Sequence, residues 1–377
     1  MKINRETGSS DHLKICENFT DQYLLSLNRR VFDAIDFLKD KGELFLVENI
    51  EAQLQTIYTN QKNYLFSLFE KFGNASITRL GDVHRKGRCT VLIERQTDKF
   101  IYKPLNAKLL ESLNKILTLL NKHSLFDFYI IKVLESQSNY SVIEFIKNET
   151  NYNVEKFSYH YGALLLVITL LKGVDFHHEN IFSVNSTPVV IDCESLFYPS
   201  LKNTKEHDVD ATSMIPTARN KISIMSKNDL SISEIIRGIE NASLAVKKFS
   251  AKLEEIIRKG GLEAKRIIIK PTTFYYEILS KSLHPTLLVD QRKRYAFLKE
   301  CLSGKHIISK CAINAESKDL MRLDIPYFSC VNDQLFDSDD KKIEPAFCID
   351  NIGDIYSNIA SIDKMKEKII RRVQTYG

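Results

Sequence analysis

Asp175 stands five residues before Asn180 in Asp175-Phe176-His177-His178-Glu179-Asn180, and Asp192 follows twelve residues after the Asn in Val190-Ile191-Asp192-Cys193-Glu194. These residue types at this spacing suit phosphoryl transfer. One carboxylate accepts the proton of an attacking hydroxyl, while an amide oxygen and a second carboxylate converge on a hard cation. Mg2+ commonly takes only one or two protein carboxylates beside nucleotide phosphates, a need that Asn180, Asp192 and Glu194 meet. The same hexapeptide also suits a capped loop whose polar side chains bond its own backbone.

The chemistry requires the chain after Asn180 to double back. Ile181-Phe182-Ser183-Val184 and Pro188-Val189-Val190-Ile191 are strand-like apolar runs parted by Asn185-Ser186-Thr187, and a turn there returns Asp192 to Asn180. Phe157 to Lys172 reads as a strongly apolar helix delivering Asp175. This spacing is that of the catalytic and metal-binding loops of protein kinases. Upstream, apolar residues recur at helical spacing from Tyr23, Leu24 and Leu27 to Leu68 and Phe69, and Phe72-Gly73-Asn74 reads as a stop. Strand-like runs at 76–80, 89–94 and 99–103 then predict an antiparallel meander. Lys103, ending the third run, would be held rigidly enough to meet nucleotide phosphates, although a lysine at a strand end is commonly just exposed. In the turn Gly81-Asp82-Val83-His84-Arg85-Lys86-Gly87-Arg88, where a phosphate-covering loop would lie, Asp82 and His84 leave an extended backbone on one face as an acid/base pair. A charged hairpin tip is the plainer reading.

Helix is expected over 107–123, strands over 126–135 and 141–146, a polar insert over about 198–230, a helix over 231–259 and a last helix over 362–373. The fold expected is α+β: a two-lobed, protein-kinase-like arrangement with a helical N-terminal segment (1–74), an N-lobe (75–150), and a C-lobe (151–377) with a mainly helical C-terminal extension. The 377 residues are 44% hydrophobic and 27% charged, an ordinary globular balance. The longest mainly apolar run, Ala163 to Leu171, is too short to span a bilayer, and residues 1–10 lack the apolar core of a secretory signal. Seven cysteines, with no C-x-x-C and no Cys-His pair, predict neither a disulfide framework nor a zinc site. A net charge of +5 does not argue for nucleic acid, and basic clusters such as Arg371-Arg372 read as solvated helix faces.

The blocks Gly81–Arg88, Tyr102-Lys103-Pro104, Asp175–Asn180 and Ile191-Asp192-Cys193-Glu194-Ser195-Leu196-Phe197 resemble the ordered motifs of the LanM-type (class II) lanthipeptide synthetase dehydratase domain. Arg266-Ile267-Ile268-Ile269-Lys270-Pro271-Thr272 and Asp324-Ile325-Pro326-Tyr327-Phe328, with Glu316 and Leu320 upstream, extend the resemblance from about Ala75 to Phe328. It implies a lipid-kinase-like enzyme that phosphorylates Ser or Thr of a polypeptide from ATP with Mg2+, then eliminates phosphate to give dehydroalanine or dehydrobutyrine. Lys103, Asp175, His177, Asn180, Asp192 and Glu194 would serve phosphorylation, with Asn180, Asp192 and Glu194 at the metal. Gly87, Arg88 and Glu144 complete the expected nucleotide site. Asp82, His84, Arg266 and Thr272 would serve elimination, Arg266 gripping the leaving phosphate with two hydrogen bonds. The base is left open among His84, Asp82 and Lys270.

The chain departs from the family's pattern at Leu105, where Arg is usual after Lys-Pro, and at Ser195, where Thr is usual. No cyclase-like Cys/His cluster follows Phe328, and the region before Gly81 is short. The expectation is therefore a stand-alone dehydratase without ring closure and with reduced leader recognition. Its substrate would be a lanthipeptide precursor or a folded protein, including a host signalling kinase if the enzyme is an exported effector. The setting would be the cytoplasm or, by a non-Sec route, a host cell; no zinc, nucleic acid or transmembrane segment is expected. Two alternatives stay open: a Ser/Thr kinase without elimination, and a non-catalytic kinase-fold binding module.

Overall fold

Helix and small antiparallel sheets alternate along this α+β chain, whose computed structural model describes residues 30–73, 75–123, 125–201, 208–217, 222–226, 229–303, 307–344, 348–349 and 352–376. The expected helix start with Tyr23, Leu24 and Leu27, and the 202–207, 218–221 and 227–228 stretches of the polar insert, lie outside the described residues. The described residues form two compact units: those of 30–104 with 268–328 and 336–345, and those of 105–267 with 329–335 and 348–376. This division differs from the expected boundaries, since it parts 75–150 after Pro104 and gathers 268–328 with the N-terminal elements.

The first unit begins with α1 (Arg30–Asp40) and α2 (Leu44–Phe72), the latter burying Ile50, Leu65 and Leu68. Gly73, at φ 66°, ends α2 where the sequence predicts a stop. The meander follows: β1 (Ser76–Arg79), β2 (Val91–Glu94) and β3 (Lys99–Lys103), antiparallel with Ile77 opposite Ile93 and Leu92 opposite Ile101. Buried Val91 and Ile93 alternate with half-buried Leu92 and Glu94, which fixes the register.

The second unit runs through α3 (Lys108–Asn121), β4 (Val133–Ser136), β5 (Ser141–Glu144), α4 (Val154–Leu170), β6 (Ile181–Val184), β7 (Thr187–Val190), α5 (Ile232–Lys248), α6 (Ser250–Gly260) and β8 (Lys265–Ile267). The strand predicted over 126–135 is regular only from Val133. Asn121 exchanges two hydrogen bonds with the backbone of Phe128, and Asn114 donates to Ile131 O, so side-chain amides of α3 replace a ladder. The helix predicted over 231–259 is two helices, broken at Phe249. Ser231 caps the first by accepting from Glu234 N–H.

From Phe157 to Ile168 every residue of α4 is buried, as a helix stretch apolar on all faces requires. It crosses α5 closely, for a Cβ on Gly162 would lie 2.0 Å from Ile235 O and one on Gly238 1.9 Å from Tyr159 O. Only hydrogen fits at either position, so the glycine pair sets the crossing that aims the end of α4.

The chain returns to the first unit through α7 (Thr272–Ser282), α8 (Pro285–Leu288), α9 (Gln291–Leu302) and α10 (Ile307–Met321), and α11 (Ile352–Ala360) and α12 (Ile362–Gln374) complete the second. Arg294 of α9 is 1% exposed. Its guanidinium donates to Leu320 O and Met321 O at the end of α10, to Ser282 Oγ and to Gln53 Oε1. Carbonyls at a helix C-terminus carry partial negative charge, so a cation suits them, although burial lowers the Arg294 pKa to about 10. Among the described residues no helix is long and apolar enough to cross a membrane.

Candidate functional site

In the second unit, α4 gives way to a tight loop because Gly173 lets the chain fold under Phe176. A Cβ at Gly173 would lie 2.6 Å from the Phe176 ring and 2.7 Å from Ile168 Cγ2. Phe176 is 1% exposed, and Asp175 before it takes the left-handed backbone at φ 70°, leaving its carboxylate 40% exposed. Asn180 Nδ2 donates to Asp175 O at 2.8 Å and lies 3.3 Å from His177 Nε2, which is 3.7 Å from Asp175 Oδ1. Asp175, His177 and Asn180 are thus brought together. The predicted turn is present: Asn185 and Ser186, at φ 52° and 59°, join β6 to β7 as a two-residue hairpin.

Ile191 N–H then donates to Asn180 O at 3.0 Å, which sets Asp192 beside Asn180. Asp192 Oδ1 accepts Glu194 N–H at 3.2 Å. Val174 N–H donates to Ser195 O, and Ser195 Oγ donates back to Val174 O, so the departure at Ser195 keeps a working hydroxyl. Arg266 at β8 donates its N–H to Glu194 O at 2.8 Å, and its Nη1 lies 3.8 Å from Glu194 Oε2. Both side chains are under one-fifth exposed. A residue assigned to elimination therefore abuts the acidic pair assigned to metal binding. Glu144, expected at the nucleotide, accepts Lys132 N–H at 2.7 Å and the Tyr129 hydroxyl. That engagement holds it to its own hairpin, and burial together with Glu144 raises the Tyr129 pKa.

No group of three or more His, Cys, Asp or Glu that could hold a metal is found among the described residues. Asn180 and the carboxylates of Asp192 and Glu194 are instead an oxygen set of the kind Mg2+ shares with phosphates. Asn180 fits because Nδ2 is tied to the loop, which puts the ligating oxygen at the other end of the amide.

In the first unit, Lys103 ends β3 and is partly buried. The 81–88 turn has a different construction. His84 and Arg88 exchange backbone hydrogen bonds at 2.8 Å, and Arg85, Lys86 and Gly87 between them all have positive φ, 47°, 65° and 88°. Successive left-handed residues turn their N–H groups to one side and form an anion-binding concavity. The anion is internal: Asp324 accepts Lys86 N–H at 2.6 Å and Gly87 N–H at 3.1 Å. The amide of Gly87, expected at nucleotide phosphate, is engaged by this carboxylate, and Arg88 is exposed. Asp324 is 2% exposed, and burial raises its pKa to about 6.

The flanking residues carry the expected acid/base pair. Val83, fully buried, accepts Ile325 N–H at 2.7 Å, and His84 Nδ1 donates to Ile325 O at 2.7 Å. In the neutral ring the lone pair then sits on Nε2. Tyr327 packs edge-on to His84 and beneath the Arg85 guanidinium. Asp82 Oδ1 accepts the Tyr276 hydroxyl at 2.8 Å. Thr272 opens α7 four residues before Tyr276, in the same unit. Lys270 donates to Glu316, which is fully buried and also accepts the Tyr275 hydroxyl at 2.6 Å. Tyr276 escaped sequence reasoning, although its helical spacing from Thr272 was a usable signal. The bond from Asp324 to the turn had no local signal.

Residues 70–232 and 220–331 match the model of a family described as "Domain of unknown function (DUF4135)". It is associated with lanthipeptide synthetase-like proteins. No curated protein matches the sequence.

Proposed function

The chain belongs to the DUF4135 family, and from that membership and the geometry of its two loops we propose that it is a kinase-like dehydratase acting on polypeptides. It transfers the γ-phosphoryl group of ATP to a Ser or Thr hydroxyl and then eliminates phosphate to leave dehydroalanine or dehydrobutyrine. The observation that carries the reading is the 173–197 loop pair, where Asp175, His177 and Asn180 meet and Asp192 returns beside Asn180.

In the first step the substrate hydroxyl oxygen bonds to the γ-phosphorus as the bond to ADP breaks, and Asp175 takes the hydroxyl proton. Lys103 would steady the nucleotide from the end of β3. Mg2+, held by Asn180 and Asp192 with Glu194, would neutralise charge on the phosphates. In the second step a base removes the α-proton, the electron pair forms the Cα–Cβ double bond, and the Cβ–O bond breaks to release phosphate. His84 is the base of this reading, since a backbone carbonyl fixes its tautomer. Arg266 receives the departing anion.

The substrate is a peptide precursor or an exposed Ser or Thr of a folded protein, such as a host signalling kinase. A kinase that stops at the phosphorylated product is the second reading, favoured by the apolar Leu105 after Lys103-Pro104. To test both, the protein is incubated with ATP, Mg2+ and a Ser/Thr peptide library or folded protein kinases, and products are read by intact mass. Loss of one water per site with wild type, and retained phosphate with Arg266→Ala, is the expected result. Retained phosphate from both proteins would leave only the kinase, and no mass change with any substrate would overturn the reading.

A further inference from the structure

The loop bearing Asp175, His177 and Asn180 takes two of its backbone anchors from stretches 208–217 and 222–226. Phe176 N–H donates to Thr212 O at 2.8 Å, and His178 donates both its N–H, at 2.9 Å, and its Nδ1–H, at 2.7 Å, to Ile222 O. Those stretches are in turn gripped by α12 and by Tyr376 just after it. Arg372 Nε donates to Asp210 Oδ1 and Nη2 to Pro216 O, each at 2.7 Å. Tyr376 Oη donates to Met225 O at 3.1 Å, and Lys368 Nζ lies 3.7 Å from Asp208 Oδ2. Asp208 caps the short helical turn Val209–Thr212 that presents the Thr212 carbonyl. α12 lies beyond the residues that the family model matches.

We infer that α12 is a clamp that sets the Asp175 loop through the described stretches 208–217 and 222–226, with Arg372 as its positioning residue. The inference concerns the control of the site in the proposed reaction and so rests on that reading. Arg372 suits the task because one planar guanidinium spans a carboxylate and a carbonyl on either side of Ser213, which takes the left-handed backbone at φ 62°. A lysine offers a point charge without the planar fork that meets both acceptors here. Arg372 touches none of the residues assigned to the reaction. Its effect must pass through the Thr212 and Ile222 carbonyls.

Hydrogen exchange resolved to single amides on the full chain tests this. Arg372→Ala is expected to speed exchange of the Phe176 and His178 amides by about ten-fold while amides in the middle of α4 keep their protection. Arg372→Lys should give an intermediate rise, and exchanging the charges in Asp210→Arg/Arg372→Asp should restore part of the protection. Unchanged exchange at Phe176 and His178 in Arg372→Ala would overturn the clamp. So would an equal rise throughout α4, which would make Arg372 a general stabiliser. With an active substrate, kcat for phosphoryl transfer should fall about ten-fold with the KM for ATP held, the mark of a displaced loop and not of lost binding. If the wild type turns over no substrate the proposed reaction fails, but the exchange result still decides the clamp.

Discussion

Two loops carry the chemistry proposed for this chain, and they are held by opposite means. The Asp175 loop in the second unit hangs from backbone hydrogen bonds at the end of α4, whose Leu164, Leu165, Leu166, Val167 and Ile168 are fully buried. The 84–88 turn in the first unit is held by a buried carboxylate, in a unit whose interior also contains Glu316, Asp319 and Arg294 at 1% exposure or less. Apolar packing is indifferent to pH but intolerant of volume. A buried carboxylate tolerates neither desolvation nor the loss of its partners. The first loop should therefore fail by steric insult and the second by titration.

Gly238→Ala is the hardest test of the first half of that contrast. The added methyl would lie 1.9 Å from Tyr159 O, and it meets backbone, not a flexible side chain. The helices must part, at a cost of about 3 kcal/mol or more. Urea unfolding should show the loss at every pH between 5 and 8, with faster hydrogen exchange in α4 and α5. An unchanged midpoint would mean that the crossing of α4 and α5 is not what holds the unit.

Asp324→Asn tests the second half. Burial raises the folded pKa of Asp324 from 3.8 to about 6. Between those values the folded state binds more protons than the unfolded one, so this residue's contribution is fully present below about pH 4 and declines as pH rises to about 6. A rise of that size corresponds to about 3 kcal/mol. Asp319 moves in the same direction through burial. The unfolding free energy of wild type, compared with Asp324→Asn across pH 4 to 6, should fall by about 2–3 kcal/mol more steeply. Parallel profiles would show that the turn is not held by a titrating group.

The same contrast explains what was legible in the sequence. The Asp175–Asn180 spacing, the Asn185-Ser186 turn and the helical period of 154–170 are local, and each recurs in the structure within a few residues of its predicted place. The 126–132 stretch is apolar enough to read as strand, yet Asn114 and Asn121 satisfy its backbone, a choice that no period encodes. The apolar pattern of 231–259 runs through Phe249 without marking the break. The polar network of the first unit is less legible still. Asp324 reaches a turn more than two hundred residues earlier and Glu316 reaches Lys270 across α7, α8 and α9, and pairings at such range leave no mark in a single chain beyond the residue types.

Tyr276→Phe probes the contrast most finely, because it alters one hydrogen bond and no packing volume. Burial and the adjacent Asp82 both raise the Tyr276 pKa, so its hydroxyl stays a donor to Asp82 through the neutral range. Removing that donor should cost about 1 kcal/mol of stability, since Asp82 is only half-buried and water can replace the bond. The larger consequence falls on chemistry. If Asp82 and His84 act together on the phosphorylated intermediate, Asp82 released from Tyr276 is differently oriented during α-proton removal, while the Asp175 loop is untouched. Time courses of phosphorylated and dehydrated product should then show phosphorylation at the wild-type rate and elimination several-fold slower. Equal slowing of both steps would mean that the 82–84 segment supports the unit as a whole, and the division of labour between the two loops would have to be redrawn.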